Sequence, residues 1–296
     1  MSINILHFSL LGCIIKRTKM TEAVIMNRIS DFFLKKGIEF FAVLDYADCR
    51  ETGPSILARA NFVPKSAIVY LLPYYAGECV NLSRYAASLD YHLIIKEIND
   101  ELCMYLRDTF PGSLSAGYGD HSPLDERHAA LIAGLGIQGD NGLLINEKYG
   151  SYVFIADVLT DVPPEQISAI SPREIGHCMS CGACRTACPT GILSGDCCEC
   201  LSAITQKKGE LSEGEISLMR EYNTVWGCDL CQSSCPYNAS PQLTPIEFFY
   251  KDRIPHLTQG VLSSMSDAEF SKRAFAWRKR KTVERNVKAL EHFDEK

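Results

Sequence analysis

The second half of this chain carries cysteines at spacings that suit metal ligation. The run "CMSCGACRTACPTG" contains Cys178, Cys181, Cys184 and Cys188, and a proline follows the last of them. This is the bacterial C-x-x-C-x-x-C-x-x-x-C-P run, in which three thiolates bind one iron–sulfur cluster and the fourth binds another. The run therefore predicts two [4Fe–4S] clusters.

A shorter run, "WGCDLCQSSCPYN" at residues 226–238, supplies three more cysteines, Cys228, Cys231 and Cys235. If the same crossing holds, Cys235, which also precedes a proline, completes the first cluster. The second cluster then contains Cys188, Cys228 and Cys231, which is one ligand short of the four thiolates that a cubane takes.

The fourth ligand of the second cluster has three candidates in "GDCCECLSAIT": Cys197, Cys198 and Cys200. Spacing alone does not choose among them. The alternative is a single cluster, with the remaining cysteines as zinc ligands or inert thiols. A zinc ribbon usually places its two C-x-x-C pairs about 15 to 20 residues apart and has no trailing Cys-Pro elements, so this alternative is the weaker one.

Composition places the chain among globular proteins of a reducing compartment. It has fourteen cysteines in 296 residues, and their C-x-x-C steps favour metal binding over disulfides, so we expect a cytoplasmic protein. No stretch approaches the roughly 18 to 20 apolar residues that span a bilayer, which predicts no membrane partner. The apolar start "MSINILHFSLLGCII" is followed, not preceded, by basic residues, unlike a secretory signal.

Strand and helix patterns alternate up to about residue 162 and predict an α/β (α+β) domain. Strands are expected at "EFFAVLD", "AIVYLLP" and "YVFIADVLT", and helices at 21–37, 89–109 and 125–133. The segment "DVPPEQISAISP" predicts a linker. The predicted divisions are an extension at 1–20, the α/β domain at 21–165, a ferredoxin-like double-cluster domain at 171–245 and a short helical tail at 246–296.

Two clusters only move electrons, so the first domain must use or position those electrons. Its most polar stretches are "LSRYAASLDYH" and "GYGDHSPLDERHAALIAGLG". Asp120 lies in the second stretch, on a predicted turn before a helix, where a carboxyl group could donate a proton to a substrate. The alternative is that Asp120 or Ser122 caps that helix and that Asp90 and His92 form an ordinary helix start.

Taken in order, these motifs resemble those of the epoxyqueuosine reductase family, cobalamin-dependent iron–sulfur enzymes that make the last step to queuosine in tRNA. The resemblance runs from about residue 22 to the end. It rests on "RYAASLDYH", "GDHSPLDERHAALIAGLG", "YGSYVFIADVLTD", "CMSCGACRTACPTG", "CLSAITQKKG", "WGCDLCQSSCP" and "WRKRKTVERNVKAL".

The resemblance implies several site residues. The family segment similar to "CLSAITQKKG" begins with the missing ligand of the second cluster, which selects Cys200. A base-off cobalamin is implied between the two domains, beside the second cluster, with Asp120 as the family's proton donor and a cofactor contact. The further implied corrinoid contacts are Arg84, Leu144 and Ser202.

The implied reaction is reduction of epoxyqueuosine to queuosine in tRNA. Electrons from an external low-potential donor would pass through the first cluster to the second and on to the corrinoid. Asp120 would protonate the departing epoxide oxygen, and desolvation against the corrin would raise its pKa. The alternatives are a paralogous reductase of another substrate, and an electron carrier or corrinoid-reactivating protein.

This chain departs from the family pattern in "GLGIQGDNG" and in its length. Ile137 stands where an aromatic residue is common, and Asp140 stands where a lysine is usual, which predicts a charge reversal beside the corrinoid or substrate pocket. Family members also continue into a helical-repeat domain, whereas this sequence resembles a short form that stops after the helix "VERNVKALEHF". A repeat helix cannot bury its apolar face alone, so we expect it to pack on the body.

The tail has a strongly basic segment. Between Lys272 and Lys288 eight basic residues stand against one acidic residue, although the whole chain has a net charge of −6. Grouped with Phe275 and Trp277, these residues predict contacts with the RNA backbone and hence tRNA as a partner. The alternative is a solvated helix face with Trp277 in the core.

Overall fold

A computed structural model of the chain describes residues 29–167, 169–195 and 199–291. Two compact units are distinguished by their internal contacts. Unit 1 contains the described residues up to Leu71, with Ile98–Leu135 and Ile155–Glu174. Unit 2 contains Leu72–Glu97, Gly136–Phe154 and the described residues from Ile175 onward.

These units are interleaved along the chain, whereas the sequence analysis predicted domains that follow one another. The reason is that three long elements cross the unit boundaries. A strand at Ser66–Pro73, a helix at Tyr91–Thr109 and a strand at Val153–Thr160 each begin in one unit and end in the other.

Besides the helical residues 29–34, the strands and helices of the described residues are as follows. The strands are β1 (Phe41–Asp45), β2 (Ser66–Pro73), β3 (Ser115–Gly119), β4 (Ile137–Gln138), β5 (Leu144–Ile145) and β6 (Val153–Thr160). The helices are α1 (Pro54–Leu57), α2 (Tyr91–Thr109), α3 (Glu126–Ile132), α4 (Ala183–Thr186), α5 (Leu201–Thr205), α6 (Glu213–Glu221), α7 (Leu230–Ser233), α8 (Gln259–Ser264), α9 (Asp267–Phe270) and α10 (Arg280–Glu291). Single 3-10 turns lie at Tyr46–Asp48, Arg84–Ala86, Pro164–Gln166, Ile192–Ser194, Pro236–Asn238, Glu247–Tyr250 and Ala276–Arg278.

Unit 1 is built on an antiparallel sheet with strand order β1-β2-β6-β3, in which the Lys65 N–H before β2 donates to the Thr160 carbonyl at the end of β6 and the Tyr74 N–H after β2 donates to the Tyr152 carbonyl before β6. β1 pairs antiparallel with β2, and β3 pairs antiparallel with β6. Every residue of β2 is buried, as its continuous apolar sequence predicts for a central strand. The three predicted strands and the helices expected at 89–109 and 125–133 are confirmed. Of the helix expected at 21–37, residues 29–34 are helical, and the part from Thr21 to Arg28 lies outside the described residues.

Unit 2 combines short, cysteine-bearing helices with a hydrophobic core around Trp226, which is fully buried. Val283 and Val287 of α10 belong to this core together with Phe275. The amphipathic tail helix therefore packs on the body of unit 2, as predicted. In the part of the chain that the structure describes, no helix is long and apolar enough to cross a membrane.

Candidate functional site

Four predicted ligands of the first cluster line a single cavity of unit 2: Cys178, Cys181, Cys184 and Cys235. We call these four residues the first cage. Cys178 is held by a hydrogen bond from its backbone N–H to the carbonyl of Gln138, 2.9 Å away. Gly182, with φ of +77°, turns the chain into α4 so that Cys184 returns to the cavity that Cys181 lines. The structure thus brings together cysteines more than fifty residues apart in sequence.

A short loop at residues 139–142 lies against the first cage. The Asp140 backbone N–H donates to Cys178 Sγ at 3.4 Å, and Cys178 Sγ lies 3.6 Å from Asp140 Oδ1. Ser180 Oγ donates to the same carboxylate at 3.2 Å, and Arg185 Nη2 lies 3.4 Å from Oδ2. The sequence analysis expected Asp140 beside a corrinoid or substrate pocket, but these contacts tie it to the first cage.

The second group of cysteines, the second cage, consists of Cys188, Cys200, Cys228 and Cys231. Burial raises the pKa of Cys228 to about 11, and the nearby Cys200 and Cys188 thiols add to the rise. Burial raises the pKa of Cys231 to about 12, again with contributions from Cys228 and Cys200. These mutual effects place Cys200, at the N-terminus of α5, with the other three cysteines. Cys197 and Cys198 lie outside the described residues.

Polar groups that favour the thiolate form lie near two cysteines of the second cage, Cys188 and Cys231. Burial disfavours ionisation of Cys188, yet the backbone N–H groups of Leu193, Thr190 and Ile192 bring its pKa below the usual value. The Asn141 side chain similarly opposes part of the rise in the pKa of Cys231. Asn141 Nδ2 is buried and, among the described residues, has no acceptor within hydrogen-bond distance.

This donor set fits iron–sulfur clusters in both cages. Four thiolates crowded together repel one another unless a metal core compensates their charge. Backbone and amide N–H groups aimed at sulfur are the contacts that tune cluster potentials in proteins. Within the described part of the chain, no three His, Cys, Asp or Glu side chains converge tightly enough to hold a single metal ion.

A groove of unit 2 adjoins the second cage and is lined by Arg84, Cys228 and Asp229, among other residues. Asp229 is buried and accepts hydrogen bonds from Ser83 Oγ at 2.5 Å and from the Arg84 backbone N–H at 2.7 Å. The Arg84 guanidinium also donates to Asp229 at 3.2 Å and to Glu78 at 2.6 Å. Arg84, a predicted corrinoid contact, is therefore fixed beside a ligand of the second cage.

The two other predicted corrinoid contacts of unit 2 are Leu144 and Ser202, and they lie outside this groove. Leu144 is a buried residue of β5. Ser202 lies in the first turn of α5, two residues after Cys200, and its Oγ accepts a hydrogen bond from Gln206 at 3.1 Å. Neither of these described residues lines the groove that Arg84 lines.

In unit 1, Asp120 follows the last residue of β3 and begins the acid loop, residues 120–125. Its backbone is left-handed, with φ of +61°, and its N–H donates to Glu126 Oε1 at 3.1 Å. The alternative that Asp120 or Ser122 caps α3 is wrong, because Asp125 is the N-cap and accepts the His128 N–H at 3.0 Å. The Asp120 side chain is exposed.

Two further carboxyl groups lie close to the acid loop, and the sequence analysis missed both. Asp157 of β6 is fully buried, and neither of its oxygens has a hydrogen-bond partner among the described residues. Burial raises its pKa to about 7, although the nearby Ser122 hydroxyl opposes part of the rise. Burial also raises the pKa of Glu126 to about 9, with Asp157 and Asp120 adding to it. An aspartate inside the apolar strand "VFIADVLT" was the signal that could have found this pair.

The basic tail divides into structural and exposed residues. Three arginines donate hydrogen bonds to backbone carbonyl groups. Arg273 donates to the carbonyl of Asp252, Arg280 to those of Leu262 and Met265, and Arg285 to that of Lys207. Four lysines of the segment are exposed: Lys272, Lys279, Lys281 and Lys288.

The aromatic residues of the tail also divide. Trp277 is 59% exposed, and the Arg278 guanidinium lies 3.9 Å from its ring centre. Phe275 is the fully buried one. The alternative that Trp277 fills the core is therefore wrong.

Comparison with known proteins bears on both cages. Residues 177–238 match the family described as "4Fe-4S double cluster binding domain". That range begins just before Cys178 and ends just after Cys235, so it includes both cages. The chain therefore contains a double-cluster iron–sulfur domain.

A comparison that covers most of the chain identifies its family. An epoxyqueuosine reductase of Leadbetterella byssophila is 30% identical over 234 residues, which cover 75% of this chain and 76% of the relative. This chain belongs to the epoxyqueuosine reductase family. The family's member from Gloeobacter violaceus is 32% identical over 200 residues, which cover 64% of this chain but 61% of the relative. The matched part thus spans less than two thirds of that curated relative.

The family fold is seen in a solved epoxyqueuosine reductase with an epoxyqueuosine-modified tRNA stem loop. It aligns with 90% of this chain and 81% of its own, with a TM-score of 0.69 and 22% identity. At that identity the likeness shows a shared fold, which is a mixed α/β structure with a double-cluster domain.

Proposed function

We propose that this chain reduces epoxyqueuosine to queuosine in tRNA, with two [4Fe–4S] clusters and a base-off cobalamin. The observation that carries the proposal is the pair of four-cysteine cages in unit 2 of a chain from the epoxyqueuosine reductase family. In the first cluster the ligands are Cys178, Cys181, Cys184 and Cys235. In the second they are Cys188, Cys200, Cys228 and Cys231.

The groove beside Cys228 supports a corrinoid contact at Arg84. Its guanidinium is held by two carboxylates, Asp229 and Glu78, and so presents a positioned cation next to the second cage. When bound, cobalamin would supply the reducing centre for removal of the epoxide oxygen. Asp120, Leu144 and Ser202 are proposed as its further contacts.

Asp120 is the proposed proton donor. Removal of an epoxide oxygen as water needs a proton at the departing oxygen, and an exposed carboxyl group on a loop can deliver it. The Glu126 carboxyl accepts a hydrogen bond from the Asp120 N–H and so fixes the start of the acid loop. The raised pKa values of Glu126 and Asp157 mean that this acidic cluster retains at least one proton at neutral pH.

The exposed lysines and Trp277 of the tail support tRNA as the partner. A solved family structure contains an epoxyqueuosine-modified tRNA stem loop. Lys279 and Lys281 flank the structural Arg280 and present their ammonium groups to solvent, where they can meet phosphates. The exposed indole adds a surface on which a base can stack.

The test is anaerobic reconstitution with iron, sulfide and cobalamin, followed by assay on an epoxyqueuosine-containing tRNA stem loop with a low-potential electron donor. We expect about eight irons and one corrinoid per chain, and queuosine in the nuclease digest. Bound corrinoid without queuosine would assign the chain to a paralogous reductase of another substrate. Eight irons without bound corrinoid would leave an electron carrier.

The ligand assignment of the second cage has its own test. Cys200→Ser should lower the iron content from about eight to about four per chain, because one cubane loses a ligand. Cys197→Ser and Cys198→Ser are the matched controls and should keep both clusters. If one of these controls loses a cluster while Cys200→Ser keeps both, the cysteine changed in that control is the fourth ligand.

A further inference from the structure

In unit 1 the acid loop shares backbone hydrogen bonds with a segment distant in sequence, residues 50–53. The Thr52 and Gly53 N–H groups both donate to the Pro123 carbonyl, at 2.8 and 2.9 Å. In the opposite direction, the Asp125 N–H donates to the carbonyl of the segment's first residue at 2.8 Å. The 50–53 segment and the acid loop are therefore paired, although more than sixty positions separate them in the sequence.

Further contacts extend this pairing and anchor the 50–53 segment to the body of unit 1. Glu51 and Leu124 form an antiparallel bridge, and Arg50 Nη1 lies 3.3 Å from Asp125 Oδ2. The Tyr46 hydroxyl, in the turn that follows β1, donates to Glu51 Oε2 at 2.8 Å. The segment thus connects the end of a sheet strand to the acid loop.

Gly53 lies so close to the acid loop that a side chain at this position would displace it. A Cβ on Gly53 would lie 3.1 Å from Pro123 Cα and 3.2 Å from the Ser122 carbonyl oxygen. It would also lie 2.9 Å from Ile56 Cδ1, but that side chain can rotate away, whereas the two backbone atoms move only if the loop moves. The φ of Gly53 is −124°, outside the left-handed region that favours glycine, so a larger residue is opposed here by the close contact.

The paired residues lie within a few positions of the proposed proton donor. Pro123 follows Asp120 by three residues and Asp125 follows it by five, so a shift of the paired part of the loop also moves Asp120. A general acid must lie about 2.6 to 3.2 Å from the atom that it protonates. A misplacement of about 1 Å can lower a rate about 10²-fold. Proton transfer from Asp120 therefore depends on where the loop is held.

We propose that the 50–53 segment positions the proton donor by fixing the acid loop at the place from which Asp120 reaches the substrate. This inference rests on the role of Asp120 in the proposed function. Gly53 is a positioning residue, because its lack of a side chain permits the close approach. The segment itself makes and breaks no bond, and the proton moves from the Asp120 carboxyl group to the departing oxygen.

Hydrogen–deuterium exchange of the anaerobically reconstituted protein, without substrate, tests whether the segment holds the loop. In Gly53→Ala the Asp125 amide should exchange about tenfold faster than in the unaltered protein, because the added methyl group weakens the pairing. Gly214→Ala is the matched control and should leave this exchange unchanged. Among the described residues, nothing outside the helix that contains Gly214 comes within 4 Å of a Cβ there.

A second variant weakens the same pairing at its other end. Tyr46→Phe removes the hydroxyl group that donates to Glu51 and leaves the close contact at Gly53 untouched. It should speed exchange of the Asp125 amide in the same direction as Gly53→Ala, and it replaces that variant if Gly53→Ala does not fold.

Turnover of the epoxyqueuosine-containing stem loop tests whether the segment acts through Asp120. In Gly53→Ala, kcat should fall about tenfold while KM stays unchanged, since the proton donor is misplaced and substrate binding is not. In the Asp120→Asn background the same change should have no further effect, because a positioning residue acts through the group that it positions. A purely structural role would lower turnover in both backgrounds.

The outcomes separate this inference from the proposed function. Unchanged exchange of the Asp125 amide, faster exchange with a normal kcat, or a loss of turnover that persists in the Asp120→Asn background each overturns the inference and leaves the proposed function intact. Absence of queuosine with the unaltered protein overturns the proposed function, and the exchange of the Asp125 amide then decides alone whether the 50–53 segment holds the acid loop.

Discussion

At the scale of single residues, Asp120 is distinguished from its acidic neighbours by what each does. Asp125 caps α3, and Glu126 accepts the Asp120 N–H, so both have structural partners on the same short stretch. Asp120 begins the loop and presents an exposed carboxyl group. This division lets the chemical role be tested against a close acidic neighbour.

Asp120→Asn should reduce turnover of epoxyqueuosine by about 10²- to 10⁴-fold, because it removes the proposed general acid. Single-turnover assays on the tRNA stem loop measure this, with iron and corrinoid content checked to show that the cofactors are unchanged. Asp125→Asn is the matched control, since asparagine also caps helices well, and its turnover should stay near normal. Near-normal turnover of Asp120→Asn would remove Asp120 from the chemistry.

Asp157 should make the stability of the protein depend on pH. Its pKa of about 7 in the folded chain exceeds its usual value of 3.8, so ionisation in the folded state costs stability as pH rises from about 4 to about 7. Asp157→Asn cannot ionise and escapes this cost. Between pH 5.5 and 8 the variant should therefore gain on the order of 2 kcal/mol over the unaltered chain, 1.5 units at about 1.36 kcal/mol each.

Thermal unfolding of the two proteins at several pH values measures this difference. Glu126, Tyr118, Tyr70 and Cys49 are the titratable groups affected by Asp157, and they remain in the variant. A parallel pH profile for the two proteins would show that Asp157 does not titrate in this range.

At the scale of elements, α10 and the turn before it combine a buried face with an exposed basic one. Val283 and Val287 face the Trp226 core, and Arg285 binds the carbonyl groups of Lys207 and Gly209. Among the described residues, no carbonyl group accepts a hydrogen bond from the side chains of the exposed lysines of the tail. Removing them should therefore alter binding and leave folding unchanged.

Replacing Lys279 and Lys281 together by alanine should weaken tRNA binding and flatten its salt dependence. Each lost phosphate contact lowers the slope of log K against log salt by about 0.7 to 0.9. Titration of a labelled stem loop at several salt concentrations measures the slope. Lys251→Ala, another exposed lysine of unit 2, is the control, and equal slopes in all variants would contradict a phosphate-binding role for the tail.

Sequence patterns found the elements whose own residues specify them. The apolar runs of β2 and β6 predicted those two strands. The long helical pattern at 89–109 predicted α2. β3 escaped because "SAGYG" has two glycines and no β-branched residue, and it is a strand only through its pairing with β6. The cysteine spacing predicted two clusters, but only a family resemblance selected Cys200, since its placement depends on how α5 folds back to Cys228 and Cys231.

Other site features depended on tertiary contacts that a linear pattern does not contain. The contact of Asp140 with Cys178 joins residues thirty-eight positions apart through the β4 pairing, so its place at a cluster was not predicted. The structural use of Arg273, Arg280 and Arg285 likewise depends on carbonyl groups from distant segments. A charge count along the chain cannot separate these arginines from the exposed lysines.

At the scale of the whole molecule, the double-cluster segment does not supply all of its own walls. Asp140, Asn141 and Ile145 line the first cage, and Ser83 and Arg84 line the groove at Cys228. These residues come from Leu72–Glu97 and Gly136–Phe154, far before the cysteine runs. Unit 2 is therefore a single folding body assembled from separated segments.

Residues 171–245 expressed alone should hold fewer than the about eight irons of the full chain and should lack a cooperative unfolding transition. The fragment keeps all eight cage cysteines. It loses the 139–142 loop and the hydrogen bonds that Ser83 and Arg84 donate to Asp229. Iron analysis and calorimetry after anaerobic reconstitution measure both properties, with the full chain as the control. A fragment with full iron content and cooperative unfolding would show that the cysteine segment folds independently.

Asp120 has a left-handed backbone, which is a conformation that glycine adopts more readily than other residues. At φ of +61° glycine adopts the conformation without strain, whereas a residue with a Cβ pays on the order of 1 kcal/mol. Replacing Asp120 by glycine would thus relieve the strain and remove the carboxyl group. If Asp120 donates the proton, as proposed, this backbone strain is the structural cost of placing a carboxyl group at the start of the acid loop.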